Sequence, residues 1–335
     1  MSRRLTVLGT GYLGTAHAAC LAEMGFEVLG VDIDAARSAT LTAGDLPFFE
    51  PGLQPLLRRG LNSGRLSFTT SYQRAAAVAG VHFLCVGTPQ QPGSDAADLS
   101  QVWGCVDTLA PLLRAPCLLI GKSTVPAGTA EIIAERMRGL SPAGVECDVA
   151  WNPEFLREGH AVHDTLHPDR IIAGVRSASA EAVLREVYAE QVAVGTPFLV
   201  TDLPTAELAK VAANAFLATK ISFINAMAEV CEAAHADVVK LSEAIGHDPR
   251  IGTANMRPGL GFGGGCLPKD IRALMARSAE LGTVVARRAI LDGRGALDPA
   301  RWRAASWTYR ALLSRALAEA GAEPGGAEQF LPGPG

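Results

Sequence analysis

One cysteine in the second half of the chain has the surroundings of a reactive thiol. Cys266 lies in "GLGFGGGCLPKD", residues 259–270, after a run of glycines and shortly before Lys269 and Asp270. Glycines let the backbone approach a ligand closely and leave the thiol accessible. The lysine and the aspartate supply charge beside it. The sequence therefore predicts a site of nucleophilic chemistry in this loop.

The other cysteines and the histidines do not indicate a disulfide framework or a metal site. Seven cysteines, an odd number, are scattered without CxxC spacing, and most lie in apolar runs such as "VHFLCVG" and "APCLLIG". His160, His163 and His167 in "GHAVHDTLH" match no metal-ligand spacing. We expect these histidines to lie in a surface loop and expect no metal.

A dinucleotide-binding motif opens the chain. "RLTVLGTGYLGTAHAACLAEMGFEVLGVDID" reads as a strand, a glycine turn, a helix and a second strand. Gly9 permits the turn, Gly11 lets a pyrophosphate approach the backbone, and Gly14 allows close packing of the helix on the strand. Asp32 would bind the adenosine ribose and repel a 2′-phosphate, which favours NAD over NADP. Arg37 keeps NADP open, although a solvated helix face is favoured for it.

The elements that must position these residues alternate between strand and helix. Short apolar strands are predicted in "VHFLCVGTP", "CLLIGKSTVP", "CDVAWNPEF", "DRIIAGV" and "PFLVTD". This alternation predicts an α/β fold with a Rossmann-like, doubly wound parallel sheet. Ligands bind at the carboxyl ends of such strands. We therefore expect Thr88, Pro89, Ser123, Thr124 and residues 152–158 at the site.

A long helical pattern follows, from about Pro204 to near Gly246. Lys210 and Asn214 are four residues apart and share one face of this helix, among apolar neighbours. Lys210 is either a snorkelling surface residue or a cation in a cleft, and the sequence leaves both open. Apolar residues around the remaining helix suggest packing on several sides, including a subunit interface.

Composition narrows the class of protein. The 335 residues favour two domains, and 48% hydrophobic with 19% charged residues is typical of a globular enzyme. A net charge of −4 does not suggest a nucleic-acid or anionic membrane partner. The N-terminus runs directly into the glycine motif without a signal peptide, so we expect a cytoplasmic protein.

A dinucleotide site together with one nucleophilic cysteine suggests a four-electron oxidation. A thiolate can add to an aldehyde and form a thiohemiacetal, which gives up a second hydride and becomes a thioester. Water then releases a carboxylic acid. A two-electron hydroxyacid dehydrogenase would leave Cys266 without a role.

An ordered set of motifs resembles the UDP-glucose/GDP-mannose dehydrogenase family over roughly residues 3–282. The motifs are "GTGYLG", "VDID", "VGTP", "KSTVPAGT", "NPEFLREG", "PDRI", "ELAKVAANAF", "INAMAEVCE", "DPRIG" and "GFGGGCLPKD". The resemblance implies NAD-dependent oxidation of the C6 alcohol of UDP-glucose to UDP-glucuronate. GDP-mannose or UDP-N-acetylmannosamine as substrate, and a non-catalytic NAD-binding remnant, remain alternatives.

The resemblance also implies roles for individual residues. Cys266 would be the nucleophile, Lys210 and Asn214 would hold the sugar oxygen, Thr124 and Asp270 would position water, and Glu154 would assist proton transfer. The implied cofactor contacts are Gly9, Gly11, Tyr12, Leu13, Gly14, Asp32, Arg37, Thr88, Pro89, Ser123, Thr124, Glu158 and Lys269. The implied substrate contacts are Glu154, Phe155, Leu156, Glu158, Lys210, Asn214, Arg250, Arg257, Phe262 and Gly263. In the family the residue at Arg250 reaches a neighbouring subunit, which implies a homodimer built on the long helix.

Simpler structural roles compete at several of these positions. Glu154 and Glu158 could be solvated loop carboxylates, and Asp270 could be the N-cap of the helix in "IRALMARSAEL". The joint occurrence of these residues in the motifs favours the site.

The predicted domains are an NAD-binding domain over 1–203, a helical central domain over 204–282 and a divergent tail over 283–335. In the tail, "DPARWRAASWTYRALLSRALAEAG" is predicted to form a helix with Asp298 as N-cap and Pro299 in the first turn. The Pro/Gly-rich end is expected to be disordered. Because the resemblance stops there, we expect the family's C-terminal UDP-binding domain to be missing or replaced and turnover to be impaired.

Overall fold

The computed structural model describes residues 3–263, 265–281, 289–292, 298–304 and 308–311. Helices and strands alternate through the first two hundred residues, as the sequence predicts. The strands there are β1 Arg4–Leu8, β2 Glu27–Val31, β3 Leu66–Thr69, β4 Val81–Leu84, β5 Cys117–Gly121, β6 Cys147–Trp151, β7 Ile171–Gly174 and β8 Phe198–Thr201. The helices are α1 Tyr12–Glu23, α2 Ala35–Thr42, α3 Leu53–Asn62, α4 Tyr72–Val78, α5 Ser100–Leu109 with a 3-10 turn Ala110–Leu112, α6 Thr129–Leu140, α7 Ala161–Leu166, α8 Ala178–Val187 and α9 Ala189–Ala193.

These eight strands form one sheet in the order β3-β2-β1-β4-β5-β6-β7-β8. Neighbouring strands are parallel, except that β6 and β7 pair antiparallel at Trp151 and Gly174. The chain turns back between β6 and β7, through residues that hold only the short helix α7, without the full crossover that a parallel pair needs. The predicted parallel sheet is therefore a mixed one, in which β7 and β8 run opposite to the other six strands.

Hydrophobic residues cover both faces of the sheet. In β4, Phe83 belongs to the core on one face, and the next residue, Leu84, belongs to the core on the other. Both side chains are fully buried. Strands buried on both faces read as continuous apolar runs, which is why these segments were recognisable in the sequence. The two layers hold the sheet rigid, so that the loops at its carboxyl ends are well positioned.

The chain divides into two compact units. The first comprises residues 1–215 and 264–277, and the second comprises residues 216–263 and 278–335. Helix α12, Leu267–Leu281, follows Cys266 and lies mostly in the first unit together with the sheet. The domain boundaries predicted at 203 and 282 stay predictions.

The prediction of one continuous helix from about Pro204 to near Gly246 is wrong. The structure has two helices here, α10 Leu203–Ala234 and α11 Val238–Gly246. His235 adopts a left-handed conformation with φ 55°, which ends α10. The Asp237 carboxylate then accepts hydrogen bonds from the backbone N–H groups of Val239 (2.8 Å) and Lys240 (3.2 Å). This side chain provides the N-cap that starts the second helix.

The predicted start of the tail helix is confirmed, but its length is not. Helix α13, Pro299–Ala304, begins after Asp298, whose carboxylate accepts from the Ala300 N–H at 2.8 Å. Residues Thr308–Ala311, predicted as helix, form strand β10, which pairs in parallel with β9, Ala289–Asp292. A threonine and a tyrosine in β10 favour the extended conformation. The predicted disordered end lies outside the described residues.

Helix α10 is long and apolar enough to cross a membrane by length and composition. It has 32 residues and a mean hydropathy of 1.3 in its most apolar window. Core helices of soluble proteins can have the same length and hydropathy, so these properties alone are weak evidence of a membrane span. The absence of a membrane partner stays a prediction.

Candidate active site

The glycine turn, residues 9–14, presents bare backbone at the carboxyl end of β1. Gly9 has φ 87°, and its N–H donates to the Val31 carbonyl at 2.7 Å. A Cβ on Gly14 would lie 1.8 Å from the Gly9 oxygen, whereas a Cβ on Gly11 would meet nothing within 4 Å. The turn therefore packs tightly behind Gly14 and stays open at Gly11, where a pyrophosphate needs to approach. Tyr12 and Leu13 begin α1 directly after this opening.

Asp32, at the end of β2, is a buried and ionised carboxylate. It accepts hydrogen bonds from the Thr10 N–H (2.8 Å), the Asp34 N–H (3.0 Å) and Arg37 (3.0 Å). Burial acts to raise the pKa of Asp32, but the Asp34 and Thr10 N–H groups and the Arg37 guanidinium outweigh it, so the pKa is lowered. An ionised carboxylate here suits ribose hydroxyl groups. Arg37 lies on helix α2 with 37% of its side chain exposed, and its guanidinium group also pairs with this carboxylate.

The polar residues after β4 and β5 meet at one edge of the sheet. The Thr88 hydroxyl donates to the Thr124 carbonyl at 2.6 Å, and the Ser123 hydroxyl donates to the Val86 carbonyl at 2.7 Å. Pro89 follows as an exposed residue. These bonds fasten the two loops to each other, which fixes Thr124 at the mouth of the site.

Lys210 is a buried cation, not a snorkelling surface residue. Only 6% of the residue is exposed, and its Nζ lies 3.1 Å from Glu154 Oε1. The other Glu154 oxygen accepts from the Leu156 N–H at 2.6 Å, and the Phe155 ring centre lies 5.6 Å from the ammonium group. The carboxylate and the aromatic face hold the Lys210 ammonium group in a fixed direction.

Asp270 binds two further side chains of the predicted site. Its carboxylate is buried, and one oxygen accepts from Asn214 Nδ2 at 2.7 Å while the other accepts from Lys269 Nζ at 2.5 Å. Helix α12 begins at Leu267, and the Asp270 N–H donates to the Cys266 carbonyl at 2.9 Å within its first turn. Asp270 is therefore not the N-cap, because it already lies inside the helix. With Thr124 and Lys269 it lines a small cavity.

Cys266 is the exposed member of this group, which we call the cysteine cluster: Glu154, Lys210, Asn214, Cys266 and Asp270. Partial desolvation raises the pKa of the Cys266 thiol, and the Asp270 and Glu154 carboxylates raise it further. Lys269 and Lys210 oppose this shift without cancelling it. The thiol is thus protonated at neutral pH in the free protein and needs a base when it reacts.

Other predicted contacts lie outside the cysteine cluster, several of them in the second compact unit. Glu158 is exposed in the loop before α7. Arg250, exposed and paired with Asp248 at 2.6 Å, lies in residues 216–263 of the second unit. The same segment contains Arg257, Phe262 and Gly263. The five members of the cysteine cluster all belong to the first unit.

The three histidines do not form a ligand set. The rings of His163 and His167 lie 5.3 Å apart, and His163 contacts Asp164 at 3.4 Å. Within the described ranges, no group of three or more His, Cys, Asp or Glu side chains is arranged to hold a metal ion.

Comparisons with known proteins agree with the site geometry. The NAD-binding domain of the UDP-glucose/GDP-mannose dehydrogenase family matches residues 3–193, and the central domain of the same family matches residues 204–289. The chain belongs to the UDP-glucose/GDP-mannose dehydrogenase family. The glycine turn and Asp32 therefore form part of its NAD-binding domain, and NAD is the cofactor of that domain.

Individual members of the family are similar over most of the chain. A UDP-glucose 6-dehydrogenase of Pseudomonas aeruginosa is 44% identical over 317 residues, which cover 90% of this chain and 69% of the relative. One of Bacillus subtilis is 41% identical, covering 81% of this chain and 61% of the relative. The structure of a UDP-glucose dehydrogenase from Pyrobaculum islandicum superposes with a TM-score of 0.81 at 38% identity, covering 91% of this chain and 67% of that one. The chain spans 59% to 69% of the length of these and similar curated relatives.

Two buried carboxylates near the family motifs were missed by the sequence reasoning. Glu50 accepts a short hydrogen bond from the Tyr12 hydroxyl and bonds from the N–H groups of Gly159 (2.9 Å) and Ala161 (2.8 Å). Glu207 accepts from the Gly128 and Ala130 N–H groups, both at 2.6 Å, at the start of α6. In the sequence, each could have been noticed as a single carboxylate among apolar residues. Glu50 lies in "FFEPGL", and Glu207 lies one helical turn before Lys210.

Proposed function

We propose that this chain oxidises the C6 alcohol of UDP-glucose to UDP-glucuronate with two molecules of NAD. The observation that carries the proposal is the cysteine cluster, in which a buried Lys210–Glu154 pair and a buried Asn214–Asp270 bond accompany an accessible thiol within one compact unit. The identity to UDP-glucose 6-dehydrogenases supports the choice of substrate.

The first oxidation removes a proton from the C6 hydroxyl group and a hydride from C6, which leaves an aldehyde. Asp270 and Thr124 hold a water molecule that accepts the proton, since both line the same cavity. Lys210 and Asn214 stabilise the negative charge that develops on the sugar oxygen, because a buried cation acts strongly in a site that excludes water. NAD, when bound at the glycine turn, accepts a hydride in each of the two oxidations.

The second oxidation depends on Cys266. Its sulfur adds to the C6 aldehyde and forms a thiohemiacetal, whose loss of a second hydride leaves a thioester. Glu154, held beside Lys210, assists the attack of water on the thioester. Hydrolysis gives the carboxylate and restores the thiol, so that one alcohol, one water and two NAD yield one carboxylate, two NADH and three protons.

The stoichiometry of NADH tests this function. The purified chain is incubated with limiting UDP-glucose and excess NAD, and NADH and UDP-glucuronate are quantified by absorbance and mass spectrometry. We expect two NADH per UDP-glucose and slower turnover of GDP-mannose and UDP-N-acetylmannosamine. One NADH per sugar would indicate a two-electron dehydrogenase, and NAD binding without NADH formation would indicate a non-catalytic protein; either result overturns the proposal.

We also propose a homodimer built on helix α10. Phe216, Phe223 and Val230, which recur every seven residues in the second unit, are 65%, 43% and 50% exposed. Residues seven apart lie on one helix face, so they form an apolar stripe that a second copy would cover. We expect light scattering to give twice the mass of the chain, and Phe223→Asp to give a monomer. A monomeric wild-type chain would contradict this.

A cytoplasmic location is part of the proposal. All seven cysteines are free thiols, as expected in a reducing compartment. Cell fractionation with an antibody against the chain tests it, and recovery in the membrane fraction would contradict it.

A further inference from the structure

Two cysteines outside the active site are direct neighbours on adjacent strands. Cys117 and Cys147 are the first residues of β5 and β6, and the strand register pairs them. Neighbouring strands lie about 4.8 Å apart, within the Cα separation of about 4.4–6.8 Å that disulfides span. Both residues lie at the amino ends of their strands, whereas the cofactor loops lie at the carboxyl ends.

The two thiols differ in their surroundings. Cys117 is buried, whereas Cys147 is half-buried and its sulfur lies 3.1 Å from the Ser141 hydroxyl oxygen. Hydrogen bonds from the Cys117 thiol and the Ser141 hydroxyl lower the pKa of Cys147, although burial opposes them. The hydrogen bond to Cys147 raises the pKa of Cys117, and burial raises it further. Cys147 is therefore the nucleophile of the pair, and Cys117 is its protonated partner.

We propose that Cys117 and Cys147 form a peroxide-reactive dithiol that closes reversibly to a disulfide. The Cys147 sulfur attacks a peroxide, the O–O bond breaks, and Cys147 becomes a sulfenic acid while water or an alcohol leaves. The Cys117 sulfur then attacks the Cys147 sulfur, the S–O bond breaks, and water leaves. The peroxide takes up the two electrons that the thiols lose, and a dithiol reductant reverses the change.

This site is independent of the proposed enzymatic function. Cys266 is more exposed than Cys147, but the pKa of its thiol is raised. Because the thiolate is the reactive form, we expect peroxide at neutral pH to modify Cys147 before Cys266.

Peptide mapping of the native wild-type chain tests the proposal. Trypsin places Cys117 in residues 115–122 and Cys147 in residues 139–157, and each peptide contains one cysteine. After brief exposure to hydrogen peroxide, alkylation and non-reducing digestion, we expect these two peptides to be linked, with a mass two hydrogens below their sum. Dithiothreitol should separate them. Oxidised Cys147 with Cys117 still alkylatable, or Cys266 modified first, would overturn the proposal.

Two comparisons control the experiment. Cys105 is a buried thiol at 3.0 Å from the Tyr72 hydroxyl, and we expect it to stay reduced at the same peroxide dose. In Cys117→Ser the sulfenic acid has no partner thiol, so dimedone should label Cys147 at least about tenfold more than in the wild type. Equal labelling in the two proteins would also overturn the proposal. If the variant does not fold, detection of the linked peptide in the wild-type protein still tests it.

Discussion

The glycine turn and the cysteine cluster lie in one compact unit, but the turn is formed by backbone atoms and the cluster by side chains. The turn uses backbone atoms of six consecutive residues, with Gly14 packed against Gly9 and Gly11 left open. The cluster uses side chains from three separated segments, around residues 154, 210 and 266. A backbone site tolerates little change in volume, whereas a side-chain site tolerates little change in charge. The two regions should therefore respond to different substitutions.

The largest effect is expected from Cys266→Ser. A hydroxyl is a much poorer nucleophile than a thiol at neutral pH, so formation of the acid should fall more than ~10³-fold. NAD affinity should be unchanged, because the glycine turn is intact. Stopped-flow kinetics and NAD titration measure the two properties. The matched control is Cys147→Ser, which should keep wild-type turnover, and acid formation by Cys266→Ser at the wild-type rate would contradict the role of the thiol.

Lys210→Met tests the charge in the cluster. Methionine fills similar volume, but it removes the cation and leaves the Glu154 carboxylate without its partner at 3.1 Å. We expect kcat to fall by about 10²–10³ with a small change in KM for NAD. Lys220→Met, one lysine farther along α10, is the control, because Lys220 is bonded to the Ile251 carbonyl. Equal losses in the two variants would indicate damage to the helix instead of lost electrostatic stabilisation.

The different construction of the two regions also explains what the sequence could predict. The glycine turn and the strands were predictable because short-range spacing and apolar runs encode them. No local sequence pattern indicates that helices α10 and α12 are in contact. The prediction that Lys210 and Asp270 belong to one site therefore depended on the family motifs. The ion pair of Arg37 with Asp32 could not be predicted, because it depends on the geometry between β2 and α2. The end of α10 at His235 was missed because no glycine, the residue that most often adopts a positive φ at a helix end, stands there.

Gly14→Ala tests the volume limit of the glycine turn. The new methyl group would lie 1.8 Å from the Gly9 oxygen, so the helix and the turn must separate. We expect a loss of about 1–3 kcal/mol in the free energy of unfolding, and we expect the Kd for NAD to rise about tenfold or more. Urea denaturation and NAD titration measure these. The control is Gly104→Ala in α5, where the methyl group meets nothing within 4 Å. An unchanged NAD affinity in Gly14→Ala would contradict a rigid backbone site.

Glu207 gives the helix that carries Lys210 a pH-dependent contact. Desolvation raises the pKa of Glu207 to about 7, despite the N–H bonds from Gly128 and Ala130. Between its ordinary value near 4.5 and about 7, the folded chain binds a proton that the unfolded chain has lost. The contribution of Glu207 to stability is therefore complete below pH 4.5 and decreases as the pH rises to about 7.

Glu207→Gln removes this titration. The difference in unfolding free energy between wild type and variant should change by up to about 3 kcal/mol across this pH window, with the wild type losing stability as the pH rises. Chemical denaturation at a series of pH values measures the slope, and a constant offset from the altered hydrogen bonds does not affect it. Parallel pH profiles would show that Glu207 is ionised throughout.

The smallest effect is expected from Tyr12→Phe, which alters a side-chain bond of the glycine turn and leaves the cysteine cluster untouched. The Tyr12 hydroxyl, in the glycine turn, donates to Glu50 and accepts from the Gly159 N–H at 3.3 Å, next to Glu158. Its loss should cost about 1 kcal/mol, because Glu50 keeps its bonds to the Gly159 and Ala161 N–H groups. Glu50→Ala, which removes all three bonds, should cost about 2–4 kcal/mol when measured in the same urea titration. If the two variants lose equal stability, the tyrosine bond alone fastens the glycine turn to the loop before α7. A small loss in Tyr12→Phe with unchanged NAD affinity would show that the turn holds its shape through backbone packing alone, as the contact of Gly14 with Gly9 suggests.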